Sequence, residues 1–179
     1  EQIIEKKNNY NDDFRVILNE FLTKEYSLIK NKSAQIKQIN SLKNKNTFTV
    51  TTGHQLNLFT GPLYFFYKII DTIKICNELK KKFPNNKFVP IYWMASEDHD
   101  FEEINFFKTL HKKFHWNINC SGKVGQLKTD SIEKLFEEIK LFFGDESLNS
   151  KKIIHLFQNS YLKHKNLSMA TFQLVNELF

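Results

Sequence analysis

The sequence predicts an α/β fold, a parallel-sheet core with helices before it and a small insertion after it. Three observations predict it. Residues 47–52 are β-branched and aromatic, residues 88–94 are almost wholly apolar, and the stretch between them carries a helical pattern. Continuous apolar strands belong to parallel sheets covered on both faces, and a strand, helix and strand of this size form a β-α-β unit. Polar residues follow each predicted strand directly, which is where open α/β sheets bind ligands.

In chain order, residues 1–46 read as a helical segment. Phe14, Ile17, Leu18, Phe21, Leu22 and Glu25 recur at 3.6-residue spacing, which predicts a helix with those side chains turned inward. Ile29, Ile36, Ile39 and Leu42 suggest a second helix over 27–42. Residues 47–104 are the β-α-β start of the core. Strand 47–52 ends at Gly53, where the backbone is expected to turn. Thr60 or Gly61 caps a helix that begins at Pro62 and runs to about Lys82. Its expected buried stripe is Phe66, Ile69, Ile70, Ile73 and Cys76, and the apolar first turn, Leu63 to Tyr67, is expected to be covered as well. Lys80, Lys81 and Lys82 close the helix, as its dipole favours. Residues 105–127 read as a hairpin-like connecting insertion. Residues 128–179 read as helices, the first capped by Thr129-Asp130-Ser131 and broken at Gly144, the second over 148–165, the third opening at Ser168. The chain starts at Glu1 rather than Met and ends inside an amphipathic pattern, so further sequence is expected at both ends.

Composition narrows the function classes. Of 26 basic residues only Arg15 is an arginine, and the lysines are scattered, so the net charge of +6 does not mark a nucleic-acid surface. No apolar run approaches the roughly 20 residues that span a bilayer. Cys76 and Cys120 form neither a close pair nor a zinc spacing and are expected to be reduced thiols of a cytoplasmic protein.

Two polar clusters carry the candidate chemistry. Thr51-Thr52-Gly53-His54 lies between a strand and a helix and is similar to the (His/Thr)-x-Gly-His signature of nucleotidyltransferases and class I aminoacyl-tRNA synthetases. There small residues admit a nucleotide and the histidine stabilises charge on its phosphates, with the helix N-terminus adding a favourable field. Thr51, Thr52, Gly53, Gln55, Asn57 and Gly61 are therefore candidate nucleotide contacts and His54 a candidate catalyst. The alternative for His54 is a turn histidine bonded to backbone. In the second cluster, five carboxylates fall within 97–103 of a basic chain, together with His99 and close to Trp93. Some can serve only to cap a helix from Ser96. Carboxylates gathered at a strand end are costly unless they hold a cation, an ammonium group or Mg²⁺. Asp98, His99 and Asp100 are candidate catalysts; Glu97, Glu102, Trp93, Tyr64 and Lys68 are candidate substrate contacts. No second group of His or Cys stands at zinc-ligand spacing, so no metal ligands are assigned. His111, His115, His155 and His164 read as surface or packing residues.

Taken together, residues 52–64 (Thr-Gly-His-Gln-Leu-Asn-Leu-Phe-Thr-Gly-Pro-Leu-Tyr), Tyr67-Lys68 and Trp93 to Glu103 resemble the bacillithiol biosynthesis cysteine-adding enzymes, a family of cysteine ligases. The resemblance is specific over 47–104, and members are longer, so the chain would be an N-terminal portion. It implies a Rossmann-like core, and a coiled coil beyond Phe179 that makes the full-length protein a homodimer. It also implies an amide joining the carboxyl group of cysteine to the amine of glucosaminyl-malate, the last step to a low-molecular-weight thiol. Amide formation from a carboxylate requires activation, which implies ATP or another nucleotide, with Mg²⁺ possible. Two other readings compete. A nucleotidyltransferase with another substrate would release pyrophosphate without needing cysteine. A dimeric scaffold would bind no nucleotide and tolerate change at Gly53 and Asp100.

Overall fold

The structure is a computed structural model that describes residues 5, 7, 9–29 and 32–179. The predicted helicity of residues 1–4, 6, 8, 30 and 31 lies outside the described residues. The chain forms two compact units, Glu1–Thr52 with Ile69–Ile91 and Gly53–Lys68 with Tyr92–Phe179.

In the first unit, helix α1 is Asp12–Tyr26 and helix α2 is Ser33–Ser41. Asn11 starts α1 by accepting from the Asp13 amide at 2.9 Å, and Asp12 and Asp13 complement its dipole. The predicted apolar stripe of α1 does not face inward. Phe14, Ile17 and Phe21 are 57%, 60% and 59% exposed, and the face that packs carries Arg15, Asn19 and Leu22. Hydrogen bonds decide this. Buried Asn19 donates to the Ile39 carbonyl at 2.8 Å, and Arg15 donates to the carbonyls of Leu42, Asn44 and Thr47. These tie α1 to the end of α2 and the start of the first strand, and a hydropathy period cannot register them.

Strand β1 is Thr47–His54, helix α3 is Tyr64–Lys82 and strand β2 is Lys87–Met94. The Lys87 amide donates to the Asn46 carbonyl and the Ala95 amide to the His54 carbonyl, start to start and end to end, so the strands run parallel. Gly53 does not end β1; the strand continues through it to His54. Helix α3 starts two residues later than the sequence suggests, and its buried stripe is Phe65, Ile69, Thr72 and Cys76. Ile70 is exposed, and so are Leu63, Tyr64 and Tyr67 of the first turn, which the described residues leave uncovered. The stripe repeats every three to four positions, as predicted, but starts from Phe65 rather than Phe66.

The second unit holds the larger core. Helix α4 is one turn, Phe101–Ile104, and strands β3 (Phe106–Lys108) and β4 (Lys113–His115) form an antiparallel hairpin that pairs Phe107 with Phe114. Their rings stack at 4.8 Å. Helices α5 (Glu133–Phe143), α6 (Leu148–Phe157) and α7 (Leu167–Leu178) complete it. Gly144, at φ 64°, closes α5, and Ser147 and Asn166 cap α6 and α7. Thr129 does not cap α5. Its hydroxyl bonds the His164 carbonyl, and a short 3₁₀ turn, Asp130–Ile132, leads into the helix. Helix α6 passes at Gln158–Leu162 into a π turn.

That π turn places Tyr161, which is wholly buried, under the loop between β1 and α3. Its hydroxyl accepts from the Phe59 amide at 2.7 Å. The bond holds an unfavourable backbone, since Phe59 (φ 46°) and Thr60 (φ 73°) both occupy the left-handed region. The Phe59 ring packs at 5.1 Å from Phe157 and 5.5 Å from Phe107. Burial raises the Tyr161 hydroxyl well above its ordinary pKa, so it stays protonated. Tyr161→Phe leaves the Phe59 amide without its acceptor and should cost about 1–3 kcal/mol. The urea midpoint of the full-length protein should fall with its slope unchanged. An unmoved midpoint would show that the latch does not hold the loop.

Candidate functional site

Both polar clusters lie at the C-terminal ends of β1 and β2, as the sequence predicts. Thr51 is exposed and Thr52 half-buried on β1. Gly53 has no left-handed backbone, and a Cβ there would meet Trp93 at 3.5 Å or more, an ordinary contact. The glycine that conformation demands is Gly61. Its φ is 54°, and a Cβ would come within 2.5 Å of Asn57. Asn57 is buried, and its amide donates to the Glu103 carbonyl at 3.3 Å. The segment therefore turns at 59–61, six residues later than the motif suggests.

His54 is half-buried. Its Nδ1 lies 3.2 Å from the Gln55 carbonyl, and its ring meets Tyr64 and Phe65 edge-on at 6.1 and 5.9 Å. These are the contacts of a turn histidine bonded to backbone. Lys68 donates to the Gly53 carbonyl at 2.6 Å and lies over the Tyr64 ring. Trp93 is 62% exposed beside Gly53, and Tyr64 is exposed as well.

The acidic turn is built around Asp98. One oxygen accepts from the His99 and Asp100 amides at 2.7 and 3.2 Å; the other accepts from the Gln55 side chain at 2.8 Å. The Gln55 bond, and after it the two amides, hold the carboxyl below its ordinary pKa, because each donor favours the ionised form. Asp100, not Ser96, caps the following helix by accepting from the Glu103 amide. His99 is almost wholly exposed, with Nδ1 at 3.8 Å from Asp98. Glu97 and Glu102 are exposed, and Glu102 accepts from Asn105 at 3.3 Å.

Residues 124–125 press the turn into place. The Val124 amide donates to the Asp98 carbonyl at 2.7 Å and the Gly125 amide to the Ser96 carbonyl at 3.0 Å. A Cβ on Gly125 would lie 2.7 Å from Ser96 and 2.3 Å from the Ser168 hydroxyl. The sequence marks Gly125 only as a turn; nothing in the local pattern says which element it touches.

Gln55 therefore joins the two clusters by bonding the acidic turn, whereas the His54 ring packs on Tyr64 and Phe65. Glu103 also enters the site, accepting from the same Gln55 nitrogen at 2.6 Å. A glutamine directly after Gly53-His54 was the available signal for Gln55; Glu103 had none beyond its charge. Among the described residues, no three His, Cys, Asp or Glu side chains converge to hold a metal, and no helix is long and apolar enough to cross a membrane. Both cysteines are free, Cys76 buried and Cys120 partly so. His155 bonds Asn159 and His164 the Ser160 carbonyl, as packing residues do.

Residues 1–179 match the family model described as bacillithiol biosynthesis BshC, N-terminal Rossmann-like domain. Among curated proteins, the chain is 52% identical over 179 residues to one of Flavobacterium psychrophilum and 49% identical over 178 residues to one of Flavobacterium johnsoniae. A protein of Bacillus thuringiensis is 33% identical over 155 residues, 82% of this chain and 28% of its own length. All three carry the name "Putative cysteine ligase BshC". The two Flavobacterium alignments cover 99% of this chain and 34% of each relative, so the chain spans about a third of the length of these proteins.

Proposed function

The chain belongs to the bacillithiol biosynthesis BshC family as its N-terminal Rossmann-like domain, and from that premise we propose that the full-length protein is a cysteine ligase. It would join the carboxyl group of cysteine to the amine of glucosaminyl-malate. The observation that carries this reading is Asp98, a carboxylate kept ionised by three donors at the end of β2. A carboxyl held below its ordinary pKa is a poor proton acceptor near neutral pH. It is a good counter-ion for an ammonium group. Asp98 then anchors the amine substrate, with Glu97 and Glu102 adding negative field.

The ammonium first gives one proton to solvent to free its lone pair, and His99, exposed beside Asp98, is suited to take the second as the amine nitrogen attacks the activated carbonyl carbon. A carbon–nitrogen bond forms, the bond from that carbon to the leaving oxygen breaks, and His99 carries away the proton. Asp100 holds the start of α4, which bears Glu103, by its cap. A nucleotide such as ATP, when bound, would supply the activation of the carboxyl group. The residues that would hold it are Thr51 to His54, Asn57 and Gly61, next to the N-terminal turn of the 19-residue helix α3. The close packing of Gly61 on Asn57 gives that loop a fixed shape. Mg²⁺ would come with the phosphates. Trp93, Tyr64 and Lys68 border the same strand ends. The proposal also places the protein in the cytoplasm as a homodimer.

The test is incubation of the full-length protein with glucosaminyl-malate, cysteine and ATP, followed by mass spectrometry. The amide product together with consumed nucleotide is expected. Pyrophosphate release without cysteine would instead favour the transferase reading, and no turnover of any kind the scaffold.

A further inference from the structure

Gln55 was assigned above, from its motif, to the nucleotide. Its side chain is turned elsewhere. The loop after β1 points it at the acidic turn, where its single amide nitrogen lies 2.8 Å from Asp98 and 2.6 Å from Glu103. Those carboxylates are 43 and 48 residues away in sequence. A primary amide has two N–H groups on one nitrogen, which matches two acceptors. The amide itself does not titrate.

Two carboxylates that share one donor nitrogen repel, and the N–H groups between them offset that repulsion. The other titratable groups about Asp98 are His99 and Asp100, on its own turn. From the 124–125 segment the Val124 amide donates to the Asp98 carbonyl.

We propose that Gln55 is a positioning residue, which bridges Asp98 and Glu103 and so presents a fixed pair of carboxylates to the primary ammonium of the amine substrate. This rests on the ligase reading for the identity of the ammonium, but not for the bridge itself. Glu103 thereby becomes a specificity-determining partner of Asp98. The lowered titration of Asp98 is the mark the bridge leaves on it.

The experiment uses the full-length protein with ¹³C-labelled aspartate, in wild type, Gln55→Leu and the double variant Gln55→Leu/Glu103→Gln. Leucine keeps the bulk of Gln55 and removes its N–H groups. The Asp98 carboxyl should titrate higher in Gln55→Leu than in wild type, and should return downward in the double variant, where the new amide at 103 can donate to Asp98. In the coupled assay, Gln55→Leu should raise KM for glucosaminyl-malate about tenfold or more, the scale of a lost charge-assisted bond, and leave KM for cysteine within about threefold. The double variant should bring the Asp98 titration back without recovering KM for the amine, because position 103 then has no carboxylate to offer the ammonium; a residue serving only to support the fold would not separate the two readouts. An unchanged Asp98 titration in Gln55→Leu overturns the proposal, as does an equal rise in both KM values. A wild type that makes no amide, with the titration moving as expected, leaves the bridge standing and overturns the ligase reading.

Discussion

Asp98→Asn should stop amide formation while leaving the fold in place. Asparagine keeps the shape of the side chain and an oxygen for the His99 and Asp100 amides, which bond Asp98 at 2.7 and 3.2 Å. It loses the charge. It also sets a second amide against Gln55, where a carboxylate oxygen now accepts at 2.8 Å. A hydrogen bond to a charged group contributes about 1.5–3 kcal/mol, which corresponds to a fall in kcat/KM of about 10-fold or more. The loss should appear mainly with the amine substrate, since the anchor faces the ammonium and not the cysteine carboxyl. The pH dependence has a definite sign. Because the folded carboxyl titrates below its ordinary value, the anchor is complete above the unfolded pKa and is lost only as pH falls through the lower folded one. Wild type should therefore keep its affinity for the amine on the acid side to below the usual carboxylate range. The variant should show no such limb. Unchanged turnover in Asp98→Asn, with an unchanged melt, would remove Asp98 from the mechanism.

Gly125→Ala should lower both stability and activity. The added Cβ would lie 2.3 Å from the Ser168 hydroxyl and 2.7 Å from both the Cβ and the carbonyl oxygen of Ser96. The hydroxyl is the end of a side chain and can rotate. The carbonyl cannot move away freely, because it accepts from the Gly125 amide itself at 3.0 Å. Overpacking of this kind costs about 1–3 kcal/mol. Relief by separation would break the bonds from Val124 and Gly125 that hold the acidic turn, so activity should fall with stability. Two measurements check this, thermal or urea unfolding of the full-length variant and its rate of amide formation. Adding Ser168→Ala should restore only part of the stability, because it relieves the hydroxyl contact and not the carbonyl one. A Gly125→Ala protein that melts and turns over as wild type would mean that the 124–125 segment does not clamp the turn.

Much of the site was legible in the sequence. The run 47–52, the apolar run 88–94 and the helical pattern between them were enough to place two clusters at adjacent strand ends. The resemblance of 52–64 and 93–103 to one family identified the chain, and the family match over 1–179 agrees with it. Those are local properties. Strand composition, helical spacing and a motif of neighbouring residues are all written within one element, and the chain cannot rearrange them.

Only the tertiary structure decided what each element turns toward. Phe14, Ile17 and Phe21 of α1 lie out while Arg15, Asn19 and Leu22 lie in, because the buried or part-buried carbonyls of Ile39, Leu42 and Thr47 need donors and the hydropathy period does not count hydrogen bonds. Gln55 meets the acidic turn rather than remaining with its own motif, and Gly125 is required by a serine 43 positions further on in the chain. Phe59 and Thr60 hold left-handed backbones that no propensity predicts, because Tyr161, 102 residues from Phe59, supplies the acceptor that fixes them. Periodicity fixes the spacing along an element. The choice of face, and of the partner across a gap of 40 or more residues, is made where buried polar groups must be satisfied and close contacts leave no room for a Cβ.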